Sequence, residues 1–185
     1  MTVLFLDVEG YTRLTANRPE AEVNEIVEKV FSRFVDPIHR SGGDINETAG
    51  DGLMIIFKND DAKTNAVHAV KAALDIAERS SERVLGGNAA IEPIHVNIGI
   101  NSGSALVGMT RFKGSMSTRM TYTATGRVTN IAARLSDLAK RGDILIGEET
   151  ARLIEGLWPL FDRGKVSLKG IAEPLQVYSL RSCSP

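Results

Sequence analysis

Two aspartates carry the chemical interest of this chain. Asp7 follows the apolar run Val3-Leu4-Phe5-Leu6, and Asp51 stands in Gly50-Asp51-Gly52, directly before Leu53-Met54-Ile55-Ile56-Phe57. A carboxylate at the end of a buried strand is costly unless it is paired or holds a cation. Read alone, Asp7 is a strand-terminal turn residue, and Asp51 belongs to an Asp-Gly hairpin turn. Read together they say more. A hairpin that pairs beside the first strand brings the two carboxylates together, and a divalent cation is the usual relief for their repulsion.

The elements around them follow from the apolar pattern. The first run is apolar enough for a strand covered on both faces, in the middle of a sheet, with Gly10 opening the turn behind it. Pro19, Glu20 and Glu22 suit the first turn of a helix. Val23, Ile26, Val27, Val30, Phe31, Phe34, Val35 and Ile38 then recur at helical spacing up to Ser41-Gly42-Gly43, with Pro37 loosening the last turn. Two strands meet at Gly50-Asp51-Gly52. A second helix spans Asp60 to Arg83 on a face of small residues, with His68 at its edge. Val84 to Ala90 reads as a loop. Ile94 to Ile100 alternates as a half-buried strand, with His95 pointing away from the core. A polar stretch, Thr110 to Thr121, reads as a solvated hairpin. Thr125 or a neighbour caps a helix that runs to Lys140, with Val128, Ile131, Ala132, Leu135 and Leu138 as its buried stripe. Asn130 and Arg134 are four apart and share another face. Strand, short helix and two strands close the chain. This order predicts an α+β fold: a mostly antiparallel sheet with helices packed on one side.

Composition bounds the partners. The 185 residues are expected to form one domain, 1–185, with 43% hydrophobic and 24% charged residues. A net charge of −1 gives no electrostatic case for nucleic acid or for membrane contact. A ferredoxin-like RNA binder would need exposed aromatics and a basic face, and only 5% of residues are aromatic. The N-terminus lacks the basic region of a signal peptide, and no apolar run approaches the roughly 20 residues of a membrane span. The single cysteine, Cys183, fits a reducing compartment. A cytoplasmic location is expected.

Five segments, in order along the chain, carry a family resemblance. Phe5-Leu6-Asp7-Val8-Glu9-Gly10-Tyr11-Thr12 resembles the first metal motif of class III adenylyl and guanylyl cyclases, and Gly50-Asp51-Gly52 through Phe57 resembles the second. Gly99-Ile100-Asn101-Ser102-Gly103 is similar to the family's central strand turn, with Asn101 in place of the usual histidine. Tyr122 to Leu135 resembles the helix motif that carries a catalytic Asn and Arg, and Leu168-Lys169-Gly170 the late Lys-Gly signature. The fold implied is the ferredoxin-like cyclase homology domain.

The resemblance also implies roles. The reaction moves the ribose 3′ oxygen of ATP or GTP onto the α-phosphate, pyrophosphate leaves, and positioning and charge stabilisation dominate. Asp7, Asp51 and the Val8 carbonyl would hold two Mg²⁺ or Mn²⁺ ions per site. The amides of Gly10, Tyr11 and Thr12 would cradle phosphate, with Lys169 on the triphosphate. Asn130 would orient the ribose, and Arg134 would stabilise charge at phosphorus. In the family, these two halves meet across a head-to-tail homodimer, and Thr110 to Thr121 resembles the arm that reaches the partner.

Base choice falls to Glu47 and Thr123. Glu47, three residues before Gly50, suits the N1–H and amine donors of guanine, where adenylyl cyclases usually carry Lys. The Thr123 hydroxyl suits either base and is found in bacterial adenylyl cyclases. The pair is mixed, so ATP and GTP both stand. The rival functional class is a catalytically silent cyclase-like domain that binds nucleotide and regulates; the presence of Asp7, Asp51, Asn130 and Arg134 together argues against it.

Overall fold

The computed structural model describes residues 1–11, 16, 18–49, 51–82, 84–86, 89–91, 94–113 and 118–180; at 47–49, 84–86, 89–91, 110–112 and 118–122 it describes the backbone alone. Strand β1 (Thr2–Val8) has a neighbour on each side. Its antiparallel partners are β3 (Gly52–Phe57), with Asp7 opposite Gly52, and β6 (Val96–Ser102), with Asp7 opposite Asn97. The expected juxtaposition of hairpin and first strand is therefore present. β2 (Asp44–Ala49) covers the outer edge of β3. On the far side, β9 (Ile144–Gly147) joins β6 in parallel, followed by β11 (Leu175–Leu180) and β10 (Leu160–Val166). The sheet has seven strands in the order β10-β11-β9-β6-β1-β3-β2.

Alternation along β1 divides the core in two. Leu4, Leu6 and Val8 join Leu53, Ile55, Phe57, Ile98 and Ile100 in one buried cluster. That face is covered by α1 (Glu20–Arg40) through Ile26, Val30, Phe34 and Ile38. It is covered also by α2 (Ala62–Ser81) through Ala66, Ala69, Val70 and Ala73, and by Ala151 of α4 (Glu148–Leu153). Val3, Met54 and Ile56 face the other way and meet Val128 and Ala132 of α3 (Arg127–Leu138). Ile131 and Leu135 of α3 are buried with Leu145, Val177 and Leu168. Helices thus pack on both faces of the sheet, not on one. An amphipathic stripe says that a helix is covered; it does not say by which face. Asp7 falls in the alternation with Val3 and Phe5, on the side of α3.

Local chemistry sets the helix ends. Asp61 caps α2, accepting from the amides of Lys63 (3.3 Å) and Thr64 (2.7 Å). Pro37 is buried inside α1 and the helix continues past it to Arg40. The N-cap of α3 is Gly126, which neighbours Thr125 and has no side chain to give; the helix stops at Leu138, short of the expected Lys140. Where a loop is expected from Val84 to Ala90, two short strands pair, β4 (Val84–Gly86) and β5 (Ala89–Ile91). The polar stretch is the expected hairpin, β7 (Leu106–Lys113) paired with β8 (Thr118–Thr125).

Candidate active site

The carboxyl groups of Asp7 and Asp51 lie within hydrogen-bonding reach of each other. Backbone pairing puts them there: the Val8 amide donates to the Asp51 carbonyl oxygen at 3.1 Å, one residue beyond the Asp7–Gly52 pair. Both residues are half-buried. Burial, the Asp51 charge and hydrogen bond, and then the Asp137 charge push Asp7 up to about 6 from the ordinary 3.8. The charges acting on Asp7 are thus themselves carboxylates. This donor set fits a hard divalent ion, which binds oxygen and can complete its shell with water. Among the described residues no group of three or more acidic, His or Cys side chains forms a fuller protein cage.

The turn after β1 is fixed from two directions. The Glu9 amide donates to the His95 carbonyl at 2.9 Å, and the Glu9 carboxylate accepts from the Arg141 amide at 2.5 Å. Gly10 then adopts φ 79°, a conformation glycine takes without strain. Tyr11 follows, half-buried and packed against the core of the α1 side. Thr12, the third phosphate-cradle candidate, lies outside the described residues. His95 is exposed, as expected from its strand pattern.

A second group gathers on and beside α3. Asn130 is exposed and Arg134 half-buried, one turn apart on the helix. Arg134 Nη1 donates to Asp137 Oδ2 at 2.7 Å. Lys169 is exposed and follows Leu168, which is buried with Ile131 and Leu135, so the late Lys-Gly loop stands beside the helix. The helix itself is seated by β6. Ser136 Oγ donates to the Asn97 carbonyl (3.1 Å), and Asn101 Nδ2 donates to the Val128 carbonyl (3.3 Å). Asn101, which replaces a histidine of the family pattern, is buried and works as this tie.

The two candidate base-choice positions lie on strands that touch. Glu47 follows a bulge in β2, and only its backbone is described, opposite Met54. Thr123 of β8 is half-buried. Asn46 Oδ1 accepts from the Ala124 amide at 3.2 Å, joining the two strands. Sequence reasoning passed over Asn46, because a bulge leaves no mark in the apolar pattern. It also passed over Asp137, whose spacing of three from Arg134 was a usable signal.

Within one chain, the described residues show no hydrogen bond or ion pair between the Asp7/Asp51 pair and Asn130, Arg134 or Lys169. The C-terminal half of α3 nevertheless runs near the end of β1, as the Asp137 charge acting on Asp7 attests.

Known proteins share this architecture. The family described as "Adenylate and Guanylate cyclase catalytic domain" matches residues 1–182. An adenylate cyclase of Anabaena cylindrica is 30% identical over 98% of this chain and 37% of its own length. The terminal-differentiation-specific adenylate cyclase of Dictyostelium discoideum is 29% identical over 97% of this chain and 8% of its own length. This chain therefore spans little more than a third of these relatives, or less. The crystal structure of the adenylyl cyclase CyaB from P. aeruginosa superposes with a TM-score of 0.83 at 28% identity, covering 97% of this chain and 92% of that one. The guanylyl cyclase Cya2 superposes with a TM-score of 0.82 at 25% identity, over 97% and 90%. The chain belongs to the adenylate and guanylate cyclase catalytic domain family, lyases that form cyclic nucleotides.

Proposed function

We propose that residues 1–185 form a catalytic domain that converts ATP or GTP to the 3′,5′-cyclic nucleotide and pyrophosphate, for second-messenger signalling. The observation that carries this reading is the pairing of Asp7 with Asp51 in a chain of this family. A cytoplasmic location accords with the supply of these nucleotides.

Asp7, Asp51 and the Val8 carbonyl are the residues that would hold two Mg²⁺ or Mn²⁺ ions. Such ions supply charge neutralisation for the phosphates and acidify the attacking hydroxyl. The chain's own groups do the rest. The amides of Gly10, Tyr11 and Thr12 hold phosphate oxygens in the turn after β1. Asn130 orients the ribose so that its 3′ oxygen lines up with the α-phosphorus. The new O–P bond forms as the bond from the α-phosphorus to the bridging oxygen of pyrophosphate breaks. The 3′ proton leaves to solvent, and the released electron pair stays on pyrophosphate. Arg134 meets the charge that builds on the equatorial oxygens, and Lys169 holds the triphosphate. Glu47 and Thr123 read the base edge.

A head-to-tail homodimer completes the site. Asp7 and Asp51 of one protomer would face Asn130, Arg134 and Lys169 of its partner, giving two sites per dimer. The exposed Leu106 and Met109 on the β7–β8 hairpin support this arrangement.

The test is product formation from ATP and from GTP, each with Mg²⁺ and with Mn²⁺, beside Asp51→Ala. A cyclic product that is lost in Asp51→Ala establishes the reading, and the faster nucleotide settles the base. No product from either, at concentrations high enough to dimerise, overturns the reading in favour of a silent regulatory domain or of one that needs further parts of a longer protein.

A further inference from the structure

Ala124 is held from two sides. Its amide donates to Asn46 Oδ1 at 3.2 Å, and its carbonyl accepts from Thr129 Oγ1 at 3.3 Å. Asn46 precedes Glu47, Ala124 follows Thr123, and Thr129 precedes Asn130. One residue thus ties together the strand of one base-choice position, the strand of the other, and the first turns of the helix that carries Asn130 and Arg134.

The tie exists because β2 is irregular. Ile45 pairs with Ile55 and Glu47 with Met54, so Asn46 is an extra residue in the ladder. A bulge of this kind re-aims a side chain out of the regular alternation. Here the side chain reaches a strand of another sheet, 78 residues away in sequence. Ala124 is buried, at 2% exposure, so its amide has little access to water in exchange. Backbone positions 47 and 123 consequently keep a fixed spacing that neither strand sets alone.

We propose that Asn46 is a positioning residue for base choice: through the Ala124 amide it sets the distance across which Glu47 and Thr123 read the purine. The inference rests on the cyclase reading for the roles of Glu47 and Thr123. Discrimination between two purines depends on donors and acceptors meeting at fixed separation, so a clamp on that separation acts on preference more than on overall rate. The Asp variant keeps an acceptor oxygen at the same reach, whereas Ala removes it.

The experiment compares wild type, Asn46→Ala and Asn46→Asp in two measurements. The first is hydrogen exchange at the Ala124 amide. The second is the ratio of ATP to GTP, as kcat/KM for cyclisation and as affinity for fluorescent ATP and GTP analogues. Asn46→Ala is expected to speed Ala124 exchange at least tenfold and to shift the nucleotide ratio about tenfold from its wild-type value. Asn46→Asp is expected to keep both within about threefold of wild type. An unchanged ratio in Asn46→Ala with faster exchange overturns the proposal and leaves a purely structural tie. Unchanged exchange overturns it by showing that the clamp does not hold. If wild type binds both nucleotides yet makes no cyclic product, the cyclase reading fails while the affinity ratio still judges Asn46. Failure to bind either nucleotide overturns both.

Discussion

Gly99 of β6 lies directly under Ala132 of α3. A Cβ placed on Gly99 would fall inside the contact distance of the Ala132 carbonyl oxygen and the Ser136 nitrogen, and would stand 2.8 Å from the Leu135 carbonyl carbon. All three are backbone atoms, so no side chain can swing away. The helix that carries Asn130 and Arg134 owes its depth on the sheet to that missing methyl group.

Gly99→Ala should therefore destabilise the fold by about 3 kcal/mol, at the upper end of what overpacking usually costs. Thermal unfolding would show it as a fall in Tm of roughly 6–12 °C for a chain of this length. If the protein still folds, α3 must rise from the sheet, and the proposed activity should fall more steeply than the folded fraction. A Tm within 1 °C of wild type would show that α3 is not seated as described.

The metal-free Asp7/Asp51 pair should make stability depend on pH. The folded chain keeps a proton on Asp7 up to about 6, whereas an unfolded Asp releases it near 3.8. Between these values the folded state binds more protons, so stability falls as pH rises through the window and stays lower above it. Asp7→Asn removes the penalty. Without metal it should be more stable than wild type at pH 7, by about 1 kcal/mol after discounting for solvent screening at a half-exposed group, and should match wild type at pH 3. Added Mg²⁺ or Mn²⁺ should raise the Tm of wild type and leave that of Asp7→Asn unmoved.

Arg134→Ala separates function from fold. Its ion pair with Asp137 is exposed, with side-chain accessibilities of 42% and 62%, and pairs of that kind contribute under about 1 kcal/mol. Denaturant unfolding should barely change. Product formation should fall on the order of 10²–10³-fold, the usual loss when a donor to transition-state charge is removed. A variant with near wild-type turnover would remove Arg134 from the mechanism.

The β7–β8 hairpin offers the clearest test of assembly. Leu106 is 76% exposed and Met109 56% exposed, on a strand that leaves the main sheet. If the hairpin reaches a partner, Leu106→Asp with Met109→Asp should convert dimers to monomers in sedimentation and abolish turnover without lowering Tm. Unaltered sedimentation would place the dimer contact elsewhere.

Much of this arrangement was legible in the chain because it depends on local rules. Asp7 met Asp51 because a central apolar strand and an Asp-Gly hairpin have few other ways to pair. The stripes of α1, α2 and α3 were readable from their spacing, and His95 from its alternation. What stayed hidden depends on relations between distant segments. The side of the sheet on which α3 lies is set by Gly99 and by the ties from Asn97 and Asn101, not by its own stripe. The bulge at Asn46 is a mismatch between two strands, and neither strand records it alone. Asn101 looked like a substituted turn residue, and is instead a buried link to the Val128 carbonyl.

The central place of β1 also governs how the chain comes to be folded. Its two neighbours are β3 and β6, and the second of these ends at Ser102. During synthesis Val3 to Leu6 leave the ribosome long before residues 96–102 exist. At about 5–20 residues per second, that strand waits roughly 5–20 s with at least one edge open. An open apolar edge is a template for pairing with other chains. The strand that presents the first aspartate is thus also a segment open to mispairing during synthesis, and slower translation ahead of residue 102 should lower the yield of folded protein.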